Sequence, residues 1–174
     1  MNPLRNLHML TRYNAWANQR MFEALAKLPA GVPQKDNGGF GSMIFAMNHN
    51  YVIDRIFRGH LEGNSHGFTA RNTEVMPALD ALMAAQAELD AWYVAYADTL
   101  TEALHDEVVK FEFIGGGAGA MSRGDMLLHV TNHMTYHRGF VGEMINRERT
   151  KPPRMDLTVF LRDAPPRLPG DGAA

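Results

Sequence analysis

The stretch that decides the reading is His129–Gly139, HVTNHMTYHRG. It places histidines at 129, 133 and 137, each four residues after the last. At about 100° per residue, side chains four apart share one face of a helix. An apolar stripe of Met126, Val130, Phe140, Val141 and Met144 runs through the same segment. His133 and His137 fall inside that stripe; His129 lies at its edge, about 40° to one side of His133. Two imidazoles at i and i+4 can reach one metal ion. Three in a row cannot easily do so, because His129 and His137 stand about 12 Å apart along the axis at ~1.5 Å per residue. The stripe therefore favours His133 with His137, and a third ligand has to come from another helix.

The helix carrying this motif is expected from about 123 to 148. Ser122 with Asp125 three residues on resembles a capping box at its start, and Pro152 and Pro153 stop it. Three further helical stretches precede it. Residues 4–28 carry Leu7, Leu10, Ala17, Met21, Leu25 and Leu28 at 3-and-4 spacing, ended by Pro29, Gly31 and Pro33. Residues 42–61 carry Phe45, Val52, Ile53 and Ile56 on one stripe, and His49 falls on it, pointing into the core. Residues 74–104 form the longest pattern, with Leu79, Leu82, Met83, Leu89, Tyr93 and Leu100 on one side and Pro77 in the first turn. Between the helices, 62–72 reads as loop, 107–113 as a short strand or extended arm, and the glycine run 115–119 as a flexible link. Residues 156–161 suggest one more helical turn. This pattern predicts an all-α fold, an antiparallel four-helix bundle over 1–162 followed by a Pro/Gly-rich, frayed tail over 163–174. The long connections before the third and fourth helices predict at least one crossover.

Composition narrows the function. With 174 residues there is room for one domain, and no cysteine is present, which excludes a disulfide framework, a thiolate metal site and a cysteine nucleophile. A net charge of -2 favours neither nucleic acid nor an anionic membrane as partner. No apolar run approaches the ~18 residues of a membrane span. The opening MNPLRNLHMLTRYNAW has no signal-peptide core, so a cytoplasmic location is expected.

A lone core histidine is usually a packing residue. Here three point into one core, and burying them without a common partner would cost ~1–3 kcal/mol for each unsatisfied group. A metal satisfies them together. The residues between His133 and His137 are Met134, Thr135 and Tyr136, so the H-E-x-x-H of a zincin protease is missing. The E-x-x-H pairs of di-iron bundles are missing too. His8, His60, His66 and His105 read as solvated. Asn14 sits at the centre of the first stripe, either as a partner behind a ligand imidazole or as a buried amide that sets helix register. Met9, Tyr13 and Trp16 form an apolar patch turned away from that stripe, which suggests a homodimer unless the segment with Val159 and Phe160 covers it.

Four segments carry a family resemblance: YNAWANQRMFEAL in the first helix, MNHNYVIDRIF in the second, HVTNHMTYHRG in the fourth, and the late DLTVFLRD. Over about 5–162 the chain resembles the DinB/YfiT-like superfamily, and within it the damage-inducible DinB branch. The resemblance implies a four-helix bundle with a divalent metal held by three histidines, which by position are His49, His133 and His137. His129 matches a common family histidine that is not usually a ligand. Many relatives have glutamine after HRG, where this chain has Phe140, and often histidine where it has Tyr136. These departures leave the three histidines in place and alter the polarity beside them.

Three histidines without a fourth protein ligand describe an open, catalytic type of site. Zinc or nickel suits it best, with iron, manganese or copper also compatible. The resemblance further implies thiol-dependent chemistry on a small molecule, with bacillithiol, mycothiol or glutathione as the thiol. The expected function is a metal-dependent thiol transferase or hydrolase, with His129, Tyr136 and Asn14 near the pocket. The alternative is a stress-linked metal-binding or sensor protein without turnover.

Overall fold

Two serines start two of the long helices in the same way. Ser42 Oγ accepts the backbone N–H of Phe45 at 3.0 Å, and Ser122 Oγ accepts that of Asp125 at 3.0 Å. Each satisfies a donor that the first helical turn leaves without an intrahelical partner. The computed structural model describes residues 3–39 and 41–170. Its elements are α1 (Pro3–Ala26), α2 (Met43–Glu62), α3 (Leu79–Thr99), α4 (Glu102–Asp106), β1 (Val108–Glu112), β2 (Ala118–Ser122), α5 (Arg123–Arg147) and α6 (Leu157–Asp163). The fold is all-α apart from one hairpin.

The third helix is shorter than its periodicity predicts. It begins at Leu79 rather than 74, because Pro77 disfavours helical geometry in the residue before it and Ala78 is extended. It ends at Thr99, because Leu100 is extended and Thr101 starts a new helix, accepting the N–H of Leu104 at 3.2 Å. The arm at 107–113 is a strand, and the glycine run is the turn of its hairpin. Gly115, Gly116 and Gly117 all have positive φ, which side-chain-bearing residues resist. Antiparallel pairing then sets Val108 opposite Ser122 and Glu112 opposite Ala118.

α1 packs on α3 and α5, and α2 packs on the same two helices. α1 and α2 therefore stand at opposite corners of the bundle, as do α3 and α5. One crossover lies in the connection between α1 and α2, and the second is the segment holding α4 and the hairpin. The apolar core falls into two large clusters, with a smaller third around Tyr13, Ala17 and Phe160. One large cluster joins Met21, Phe22, Met43, Met47, Leu82 and Val141; the other joins Leu7, Phe57, Leu89, Tyr93, Met126 and Leu127. Along every long helix, polar residues occupy the level between them. No helix of the described residues is long and apolar enough to cross a membrane.

Several sequence expectations change here. Phe45, placed on the core stripe of α2, is 40% exposed, because the buried face of that helix turns toward Met43, Met47, Asn50 and Asp54. His8, read as solvated, is buried and donates from Nε2 to the carbonyl of Ala97 at 3.0 Å, since α1 buries a wider face against α3 than its apolar stripe marks. His60, His66 and His105 are half-buried rather than free in solvent. The Tyr13–Trp16 patch is covered from within the chain. Phe160 of α6 is 3% exposed, with its ring centroid 5.9 Å from Tyr13 and 5.4 Å from Trp16. Tyr13 is buried by this packing, while Met9 and Trp16 remain half-buried. Leu168 is buried, so the chain past α6 still packs, while 171–174 lie outside the described residues.

Phe160→Ala is expected to lower the unfolding free energy by about 3 kcal/mol, the usual scale for deleting a buried aromatic ring. Chemical denaturation measures it. Leu161→Ala, at a 43% exposed neighbour, should change little.

Candidate metal centre

His49 is set by a loop that a buried asparagine holds. Asn48 Oδ1 accepts from Thr73 N at 2.9 Å, Thr73 Oγ1 at 3.1 Å and Asn72 Nδ2 at 3.3 Å, which pins residues 72–73 against α2. The carbonyl of Arg71 then accepts from His49 Nδ1 at 2.9 Å. A carbonyl only accepts, so Nδ1 carries the proton and Nε2 keeps its lone pair for a ligand role.

His133 and His137 come from α5, one turn apart on its face toward α2. The three rings pack together, with centroids 4.5 Å apart for His133–His137, 4.7 Å for His49–His137 and 5.2 Å for His49–His133. Each offers one ring nitrogen, and those nitrogens all lie within 4.8 Å of one another. The trio could hold a metal ion. The donor chemistry fits: His133 Nδ1 is buried without a hydrogen-bond partner, and a cation would satisfy such a nitrogen.

The electrostatics point the same way. Burial lowers the His49 pKa. Burial, followed by the charges of His137, His49 and His129, pulls His133 down to about 3. Burial, followed by His49, pulls His137 down to about 4. All three imidazoles are thus neutral at pH 7 with lone pairs available. Proton competition for a metal moves below the ordinary 6.5.

The other residues predicted near the site separate. His129 stands outside the trio, its ring 5.6 Å from His133 and 4.5 Å from Phe57. Tyr136 is 59% exposed at the rim, edge-on to His137 at 5.2 Å and to Phe140 at 4.7 Å. Asn14 is hydrogen-bonded to Arg138 rather than to an imidazole: Arg138 Nη1 donates to Asn14 Oδ1 and to Asn18 Oδ1, each at 2.6 Å.

Sequence reasoning missed the rest of that network. Arg138 Nη2 donates to Thr135 Oγ1 at 2.9 Å. Asn18 Nδ2 donates to Asp90 Oδ1 at 2.9 Å, and Gln86 Nε2 bridges Asp90 and Asp54 at 3.1 Å each. Tyr93 Oη donates to the Asp54 carbonyl at 2.6 Å. Burial pushes Asp90 up to about 6 and Asp54 well above the usual carboxylate range. The signal lay in polar i,i+4 pairs on three helices: Asn14/Asn18, Asn50/Asp54 and Gln86/Asp90. Each pair interrupts an apolar face at the same level of the bundle.

The DinB family model matches residues 2–168. Protein DinB of Bacillus subtilis (strain 168) is 24% identical over 159 residues, covering 87% of this chain and 91% of that protein.

Replacing His49, His133 or His137 by alanine is expected to reduce bound divalent metal to a small fraction, measured by elemental analysis after dialysis. His129→Ala should retain most of it. If His129→Ala strips the metal while His137→Ala keeps it, the other i,i+4 pair is the binding pair. Wild-type protein should retain metal at pH 5.5 and release it toward pH 4. In the metal-free protein the lowered histidine pKa values mean that the unfolded chain binds protons the fold refuses. Their contribution is complete above about 6.5 and is lost as pH falls toward 4 and 3. Asp90 acts with the opposite sign, its contribution being lost as pH rises through about 6.

Proposed function

This chain belongs to the DinB family, and on that premise we propose that His49, His133 and His137 hold a divalent metal, zinc or nickel, in a metal-dependent enzyme acting on small molecules. One observation carries the reading. Three neutral imidazoles converge, and among the described residues no fourth histidine or carboxylate joins them. A three-histidine set leaves a coordination position for a reactant, whereas structural sites close all four.

The metal, when bound, supplies Lewis acidity that lowers the pKa of a coordinated thiol or water. The chain's own residues supply position and dryness. The Arg71 carbonyl keeps His49 in one tautomer. Phe57 backs His129, and burial keeps that imidazole neutral one ring away from His133. His129 is a further base beside His133 that could take a proton from an incoming thiol. Tyr136 and Phe140 form the wall on the α5 side. No residue here can act as a thiol nucleophile, because the chain has no cysteine. A thiol transferase reading thus requires a low-molecular-weight thiol from outside. Holding thiol and electrophile side by side would replace a bimolecular encounter, a large source of rate in its own right.

A small thiol added to cobalt-substituted protein is expected to produce a sulfur-to-cobalt charge-transfer band. The band should be absent from the His49→Ala, His137→Ala double variant. Conjugation of a test electrophile should accelerate only with metal and thiol both present. A thiol band without turnover across a broad electrophile panel would favour a hydrolase or a stress-linked metal sensor. A cobalt spectrum that neither thiol nor azide perturbs would remove the catalytic reading.

A further inference from the structure

Between α2 and the hairpin lies a cavity of about 60 Å³, lined in part by Arg71, whose carbonyl bonds His49. At roughly 10–15 Å³ per water-sized group, that is room for four to six such groups, the size of one six-membered ring. Its walls are apolar and aromatic. Ile53 and Phe57 come from α2, one and two turns beyond His49, and Phe111 and Phe113 come from the hairpin. The rings brace one another: Phe111 lies 5.0 Å from Phe113 and 6.1 Å from Phe57, and it stacks on His60 at 4.6 Å. Gly119 makes this possible, since a Cβ there would come within 2.6 Å of the Phe111 ring.

One cation lines the cavity, Arg71. Its backbone carbonyl holds His49, and its charge reaches the His49 ring. The guanidinium makes one long hydrogen bond, to the Ile114 carbonyl at 3.4 Å, and forms no ion pair among the described residues. Glu112 borders the same cavity but occupies an exposed position of β1, between the half-buried Phe111 and the turn. An exposed guanidinium next to an aromatic box selects an anion that carries a ring.

We propose that Arg71 and this cavity form a subsite for an aryl carboxylate. The ring occupies the box walled by Phe57, Phe111 and Phe113, and the carboxylate pairs with Arg71 beside His49. The inference rests on reading the trio as an open small-molecule site, but the groups that make the subsite belong to the chain and need no metal.

The experiment uses the full-length chain, zinc-loaded and metal-stripped, with phenylacetate and its neutral amide as probes, followed by amide chemical shifts in NMR titrations. Phenylacetate is expected to bind both forms and to shift the amides of 111–114 and 71–73. Arg71→Gln should weaken phenylacetate about tenfold or more and leave phenylacetamide unchanged. Phe113→Ala, at an exposed position that leaves the hairpin backbone intact, should weaken both probes. Equal binding of the two probes, shifts outside these segments, or an Arg71→Gln variant that weakens both alike would overturn the proposal. So would binding that appears only with zinc and is indifferent to Arg71, which indicates a carboxylate on the metal. Each of those outcomes leaves the cobalt result standing, and a silent cobalt spectrum leaves the metal-free titration standing.

Discussion

The guanidinium of Arg138 is 1% exposed and follows His137 directly in the chain. Successive residues on a helix point about 100° apart. α5 has α1 on one side and α2 on the other. Fixing Arg138 toward Asn14 and Asn18 of α1 therefore turns His137, and His133 one turn before it, toward His49 of α2. From Asn18 the bonds continue to Asp90 and through Gln86 to Asp54, so that one network touches all four long helices. A rotation or a one-residue slip of any of them would strand a buried charge. The rotational setting of the histidines is thus inherited from a polar layer that none of them belongs to.

That layer is not there for stability alone. Replacing buried ion pairs by well-packed apolar groups is often neutral or stabilising, whereas removing one partner costs about 3–5 kcal/mol. The two carboxyls outnumber the one guanidinium, and burial raises both pKa values. An apolar core at the same level would tolerate sliding of one helix past the next, as apolar cores accept many packings. Directional bonds from a planar, five-donor side chain do not. Two large apolar clusters supply most of the burial, and the polar layer between them supplies register.

What could be read in the sequence follows from how local each signal is. The i,i+4 spacing of His133 and His137, the Ser122 cap and the helical periods are short-range, and the structure brings those two histidines to His49. Arg138 was invisible because a polar residue beside a histidine motif reads as solvent-facing. Its partners lie 120 and 124 positions away, at Asn18 and Asn14. The same habit put His8 in solvent, where a backbone carbonyl of α3 in fact receives it. β2 was missed because AGAMS has neither alternation nor β-branched residues, and its pairing depends on the glycine turn before it. The length of the third helix was overstated because apolar spacing survives across Leu100, while the capping preference of Thr101 breaks the helix there.

The two faces of the site are held by different means. On the interior side, α5 is locked by a guanidinium in a bonded layer. On the mouth side, His49 is locked by a loop, through Asn48 to residues 72–73 and from the Arg71 carbonyl to Nδ1. Arg71 thus serves the site twice, with its carbonyl on the imidazole and its side chain in the aromatic cavity. A ligand that draws the guanidinium toward itself pulls on the same backbone that sets the His49 tautomer. On α5, His137 is followed by Arg138, whose guanidinium is sealed in the core and bonded to Asn14 and Asn18 of α1.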